Sequence, residues 1–177
     1  MSKSNSNSSS EQERSSNSQL TVLKNNSDNG EIKYIYHMSD IHIRLDQRHR
    51  EYEEVFERVY NYIKNDINGK EQESIIVLTG DILHSKTELR PEAISITSNF
   101  FKQLSEIATV ILIPGNHDCN VTNRKRLDAL SPIVEDVNNL TDFYYLKTTG
   151  IYQYQNILFG VSSIIPGKNF FVSSSMK

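Results

Sequence analysis

The sequence is poor in cysteine. Cys119 is the single cysteine among 177 residues, so no internal disulfide can form and a reducing compartment fits. An excess of positive charge is missing as well. The net charge is −3 and the pI about 6.0, so the chain as a whole does not advertise nucleic-acid binding, although local basic patches can still serve it. Long apolar runs are absent, and none approaches the roughly 18 residues of a membrane span. The N-terminus has no apolar stretch of the secretory kind. These absences predict a soluble intracellular protein, cytoplasmic or nuclear, with no membrane partner. Histidine is scarce too: there are 5, and His117 is the last of them.

What is present begins with a polar head. Residues 1–30 are rich in Ser and Asn and bury too little apolar surface to offset their ordering entropy, so a disordered tail is expected. The apolar island Leu20-Thr21-Val22-Leu23 within it reads as a chance cluster rather than a docking segment. Residues 31–163 carry the patterning of one domain, and 164–177 read as an irregular C-terminal segment.

Within the domain, Glu31 to Met38 predicts a strand, rich in Tyr and Ile. Arg50 to Lys64 predicts a helix whose Tyr52, Val55, Phe56, Val59 and Ile63 share one face. Ser74 to Thr79 is a continuous apolar run, as in a strand buried on both faces of a parallel sheet. Pro91 suits the first turn of a second helix, with Ala93, Thr97, Phe100, Phe101, Leu104 and Ala108 as its stripe. Thr109 to Ile113 predicts a third buried strand. A short helix from Ser131 to about Leu140 and three strands near 143–146, 151–154 and 157–161 follow. The order β-α-β-α-β predicts an α/β fold with a parallel sheet and helices over its faces.

Three polar clusters stand directly after the three buried strands: Asp40-Ile41-His42, Gly80-Asp81-Ile82-Leu83-His84 and Gly115-Asn116-His117-Asp118. Carboxyl ends of strands are where such sheets place their sites. Asp40 and His42, two apart, can turn both side chains to one point. A hard oxygen beside an imidazole suits Mn²⁺, Fe²⁺ or Zn²⁺ better than Ca²⁺. Asp81 can bridge two ions, Asn116 offers an amide oxygen, and His117 is a ligand or a general acid. Two ions held about 3.5–4 Å apart would clamp a phosphate and lower the pKa of a bound water. Each cluster alone is an ordinary turn or cap. Their conjunction carries the reading.

Together the clusters resemble the first three motifs of the calcineurin-like metallophosphoesterases. His84, closing Gly-Asp-x-x-His, makes the match similar to the Mre11/SbcD-like branch of DNA double-strand-break repair nucleases. The resemblance covers about Tyr34 to Val161. It implies a four-layer αββα sandwich with the late strands in its second sheet. It implies two divalent metal ions, Mn²⁺ first and Fe²⁺ or Zn²⁺ next. Asp40 and His42 would bind one ion, Asp81 would bridge both, and Asn116 would bind the second. His117 would protonate the leaving oxygen, His84 would face the phosphate, and Asp118 would orient His117 or brace its loop. The implied function is metal-dependent phosphodiester hydrolysis on DNA, with an SMC-like ATPase partner and a homodimer. The same family completes its site with downstream histidines that have no counterpart after His117, so the expectation is an incomplete C-terminal end. That leaves two alternatives: a generic metallophosphoesterase acting on nucleotides or small phosphoesters, and a truncated, non-catalytic interaction module.

Beside the motifs lie two basic groups, Arg44, Arg48 and Arg50, and Arg124, Lys125 and Arg126. Arg44, Arg48, Arg124, Lys125 and Arg126 are candidates for contact with a DNA backbone, with a solvated loop as the equal alternative. Cys119 reads as a loop residue without chemistry, and Tyr144, Tyr145, Tyr152 and Tyr154 as packing residues on strands.

Overall fold

A computed structural model of the protein describes residues 20–23, 30–44, 48–85, 88–120, 123, 126–137 and 142–165. Strands and helices alternate along the chain. They are β1 (Leu20–Val22), β2 (Tyr34–Met38), α1 (His49–Ile67), β3 (Ser74–Leu78), α2 (Pro91–Ser105), β4 (Thr109–Leu112), α3 (Ser131–Val137), β5 (Phe143–Tyr145), β6 (Gly150–Tyr154) and β7 (Ile157–Val161). The α/β class expected from the sequence is thus observed.

The larger sheet has the order β2-β3-β4-β5, and all its pairings are parallel. Its central strands β3 and β4 are buried along their whole length, which is why their sequences run apolar without alternation. Alternate side chains still divide between two faces. Ile76, Leu78, Val110, Leu112 and Phe143 meet the helices, through Phe56, Tyr60, Phe100, Phe101 and Leu104. Phe56 stacks on Phe100 at 4.2 Å, and Phe101 meets Phe143 at 5.2 Å. Each such burial contributes about 1.5–3 kcal/mol. Ile75, Val77 and Ile111 on the other face meet Tyr152, Tyr154 and Val161 of the smaller sheet. No helix covers the outer side of that small sheet among the described residues, so the expected fourth layer is not among them.

Three expectations need correction. Leu20–Val22 is not a stray cluster in a tail: it forms β1, paired in parallel with β6 from Leu20↔Ile151 to Val22↔Gln153. Its side chains stay exposed, so backbone pairing and not burial holds it. Second, β5 joins the larger sheet beside β4, because α3 provides a crossover and Phe143 finds Phe101 beneath it. Only β6 and β7 enter the second sheet, as an antiparallel hairpin with β1 at its edge. Third, Val55 lies off the buried stripe of α1 and is 43% exposed, whereas Tyr60 and Ile67 complete that stripe. The rest of the expected tail, the end of α3 near Leu140 and most of 164–177 lie outside the described residues.

Candidate metal centre

The three motifs meet because their loops are tied to one another by backbone. Past the ends of β2 and β3 the chains remain in parallel register: Asp40 N–H donates to Gly80 O at 3.1 Å, His42 N–H to Asp81 O at 2.9 Å and Ile43 N–H to Ile82 O at 2.8 Å. An Ile43↔Leu83 bridge and a His84 N–H to Ile43 O bond of 3.0 Å close the run. The first motif therefore lies alongside the second. The third motif is fastened by side chains. His117 N–H donates to Asp81 Oδ1 at 2.9 Å, and Asp118 accepts Leu83 N–H at 3.0 Å and Gly115 N–H at 2.8 Å.

Two glycines make this approach sterically possible. A Cβ on Gly80 would overlap the Gly115 backbone, and one on Gly115 would overlap the Asp81 backbone and carboxylate. Gly80 also has φ +89°, a left-handed conformation natural only to glycine. Three neighbours adopt that region without being glycine: Asp40 at φ 58°, His42 at 52° and Asp81 at 52°. Such a conformation costs free energy in an L-residue, and here it falls on three of the four candidate ligands, Asp40, His42 and Asp81 but not Asn116.

Asp40, His42 and Asp81 form one group whose ligand atoms all lie within 4.8 Å of one another. His42 Nε2 stands 3.8 Å from both Asp40 Oδ1 and Asp81 Oδ2. Asp81 thus divides its oxygens, one to the His117 backbone and one to His42. Ser39 donates its hydroxyl to Asp40 Oδ2. His42 Nδ1, the ring nitrogen turned away from these carboxylates, is buried with no hydrogen-bond partner among the described residues. Two carboxylates and the imidazole Nε2, converging on one point, fit a divalent cation by the chemistry of their donors.

His117 is oriented by backbone. Its Nδ1 lies 2.9 Å from His84 O, so Nδ1–H donates there and Nε2 is left to act. Its ring meets His42 edge-on at 4.7 Å and runs nearly parallel to His84 at 5.8 Å. Asp118, expected to orient His117 or brace the loop, braces the loop: it is fully buried, and both its oxygens are taken by backbone N–H groups. Burial pushes its carboxyl up to about 6, against the pull of those hydrogen bonds. It touches no reacting atom. Asn116 is exposed at the turn between Gly115 and His117.

The basic residues divide differently. Arg44 and Arg126 are exposed near the motif loops, whereas Arg48 is engaged by Glu51 at 2.5 Å. Arg124 and Lys125 lie outside the described residues. Cys119 is buried, its thiol 3.6 Å from Gly115 O. Tyr152 and Tyr154 are core residues, and Tyr144 packs on Tyr154 at 5.8 Å.

Sequence reasoning missed one buried polar centre. Asp128 accepts Ser131 N–H at 2.8 Å, Ser131 Oγ–H at 2.6 Å and Tyr145 O–H at 2.8 Å, and pairs with Lys147 at 3.1 Å. It caps α3 and ties that helix to β5. Burial raises its carboxyl, but the hydrogen bonds from Ser131, Tyr145 and Lys147 outweigh that and hold it below the usual range. The Asp-x-x-Ser spacing was a legible capping signal. Its partners Tyr145 and Lys147 were not.

A family model described as calcineurin-like phosphoesterase matches residues 33–172, most of the chain. The chain belongs to the calcineurin-like phosphoesterase family. All three motif loops lie inside the matched span. Over 158 residues it is 61% identical to an uncharacterized protein of Acanthamoeba polyphaga mimivirus, covering 89% of this chain and 12% of that protein. Over 96 residues it is 27% identical to "Putative phosphoesterase 244L" of Invertebrate iridescent virus 6, covering 54% of this chain and 33% of that protein. The chain therefore spans only a small part of the length of these curated relatives. Members of the family generally use divalent metals, in keeping with the Asp40, His42 and Asp81 group. No helix among the described residues is long and apolar enough to cross a membrane.

Proposed function

We propose that this chain is the metal-holding part of a phosphodiester hydrolase of the Mre11/SbcD-like nuclease type. The observation that carries the reading is the convergence of Asp40, His42 and Asp81 on one point with His84 and His117 at its rim. Asp40, His42 and Asp81 would hold a divalent ion, and Asp81 and Asn116 would hold a second; Mn²⁺ is the expected metal. Ions bound there supply Lewis acidity and a more acidic water. The chain's own residues do the rest. His117, held at Nδ1 by the His84 carbonyl, keeps Nε2 for the proton that the leaving oxygen needs. His84, exposed beside it, faces an incoming phosphate. Asp118 and the two glycines fix the spacing of the loops. Arg44 and Arg126, with Arg124 and Lys125, would follow a DNA backbone. An SMC-like ATPase partner and a homodimer belong to this proposal.

A second reading, hydrolysis of small phosphoesters, has its own support. A cleft of about 570 Å³ opens beside Ser39 and Ile41, floored by Tyr52, Phe56 and Phe100; it adjoins the motif loops but is not lined by Asp40, His42, Asp81, His84 or His117. That volume is in the range of small-molecule sites, about 300–1,000 Å³. Arg48 on its rim is neutralised by Glu51, which weakens the case for a phosphate backbone there.

The test is hydrolysis with Mn²⁺ of duplex DNA and of a small phosphodiester, by the wild type and by His117→Ala. DNA cleavage that falls steeply with salt and is lost in the variant supports the nuclease. Turnover of the small ester alone supports the second reading. No turnover of either, with Mn²⁺ bound, leaves a non-catalytic module.

A further inference from the structure

Beside the carboxylate group lies a second cluster that shares His42 with it and adds the two histidines the proposed hydrolysis uses for proton and phosphate. His42, His84 and His117 each present a ring nitrogen, and these nitrogens all lie within 4.8 Å of one another. The three rings form one cluster, with centroids 4.7 Å apart for His42 and His117, 5.7 Å for His42 and His84, and 5.8 Å for His84 and His117. No carboxylate belongs to this group of three. The mouth is open, since His84 is exposed and His42 and His117 are half-buried.

We propose that His42, His84 and His117 form an alternative, imidazole-only ion position that takes Zn²⁺ in preference to Mn²⁺ and silences His117. The chemistry of the donors sets the preference. Imidazole nitrogens suit Zn²⁺, whereas carboxylate and amide oxygens suit Mn²⁺. A tetrahedral Zn²⁺ with bonds of about 2.0–2.1 Å needs its ligand atoms about 3.3 Å apart, so the three nitrogens must draw in by an ångström or so. The exposed His84 side chain can make that movement.

His117 is already prepared for this role. With Nδ1–H given to the His84 carbonyl, its Nε2 carries the lone pair that a metal needs. The same bond ties the His84 backbone to the His117 ring, so two of the three ligands move together. Occupation of Nε2 by Zn²⁺ removes the group that would hand a proton to the leaving oxygen. His42 belongs to both groups, so an ion at one position weakens binding at the other. The inference concerns ion binding. It rests on the reading above only for the consequence that occupancy silences His117.

The experiment is calorimetric titration of the 177-residue chain with Zn²⁺ alone and Mn²⁺ alone, for the wild type, His84→Gln and Asp40→Asn. Second-sphere changes already cost about 10–100-fold in metal affinity, so loss of a true ligand should cost at least about tenfold. His84→Gln should weaken Zn²⁺ by that factor and leave Mn²⁺ within about twofold. Asp40→Asn should do the reverse. X-ray absorption of the Zn²⁺-loaded chain should show a shell dominated by imidazole nitrogen at about 2.0–2.1 Å. Unchanged Zn²⁺ affinity in His84→Gln overturns the proposal, and so does equal weakening of both metals by either variant. An oxygen-dominated zinc shell overturns it as well. Failure of Mn²⁺ to bind the wild type would sink the hydrolase reading instead, while the Zn²⁺ arm still decides this one.

Discussion

The contact between Gly80 and Gly115 allows a graded test of how the site is built. Four glycine-to-alanine changes separate backbone conformation from space. Gly69 has φ +83° and open surroundings, so Gly69→Ala meets conformational strain alone. Left-handed backbone costs an L-residue about 1–2 kcal/mol. In Gly115→Ala no positive φ is involved, but the new methyl overlaps Asp81. Overpacking of this kind costs about 1–3 kcal/mol. Displacement would also strain the His117–Asp81 bond of 2.9 Å and the Gly115–Asp118 bond of 2.8 Å. Both penalties fall on Gly80→Ala, about 2–5 kcal/mol in sum. At Gly160, on β7, nothing stands within 4 Å and φ is ordinary. There alanine should stabilise by about 0.4–1 kcal/mol through the unfolded chain.

Urea unfolding of the four variants should give midpoints in the order Gly160→Ala, Gly69→Ala, Gly115→Ala, Gly80→Ala, from highest to lowest. Mn²⁺ binding supplies an independent axis. Gly115→Ala and Gly80→Ala move Asp81 and should lose affinity, while Gly69→Ala, far from the motifs, should not. The reasoning is refuted if Gly115→Ala unfolds at the wild-type midpoint and binds Mn²⁺ normally, or if Gly69→Ala proves the more damaging of the two.

Other outcomes follow from the same geometry. Asp118→Ala strands the buried N–H of Leu83, at about 1–3 kcal/mol, and the half-buried N–H of Gly115 at less, and should lower the urea midpoint well beyond a surface change. Excess Mn²⁺ should raise the wild-type melting temperature, worth about 2.7 kcal/mol at a hundredfold Kd, and a chelator or Asp81→Asn should abolish the rise. Asp128 gives a pH dependence. Its folded carboxyl lies below the unfolded value of about 3.9, so its stabilisation is complete above that value and is lost as pH falls through the folded pKa. Acid unfolding of Asp128→Asn should therefore show a shallower slope in that window than the wild type.

The sequence made the helical and sheet framework legible because burial dominates it. Unbroken apolar runs at Ser74–Leu78 and Thr109–Leu112, and the stripe of α2, leave few alternatives. The motif positions were legible because Gly, Asp, Asn and His after a strand are chemically conspicuous. Backbone contacts were not, since they carry no residue signature. That is why His84's carbonyl, rather than Asp118, turns out to orient His117. Pairing across 131 positions hid β1 for the same reason: Leu20 meets Ile151 through main-chain bonds with little burial. Placement of β5 depended on which neighbour Phe143 would find, a question of tertiary packing that a three-residue strand cannot answer alone.

The strained ligands provide a sharper argument that these loops are shaped for a site and not for stability. Aspartate tolerates left-handed backbone because its short side chain can bond locally. His42 sits at φ 52° with no local side-chain bond to offset it, and its Nδ1 is buried without a partner among the described residues. Its main chain is satisfied regardless of side chain: the N–H donates to Asp81 O at 2.9 Å, and the carbonyl accepts Tyr52 O–H at 2.7 Å. Both bonds survive in His42→Gly and His42→Ala. At an ordinary position glycine is the less stable of that pair by about 0.5–1 kcal/mol. Here the order should invert, with His42→Gly the more stable by up to about 1.5 kcal/mol, because it alone is free of the left-handed penalty of about 1–2 kcal/mol and that exceeds glycine's usual disadvantage. Both variants should lose Mn²⁺ and Zn²⁺ alike. Paired urea melts in the presence of chelator decide the matter. An alanine variant at least as stable as the glycine one would mean that residue 42 is not held in the left-handed region, and the case for strain maintained for ion binding would fall with it.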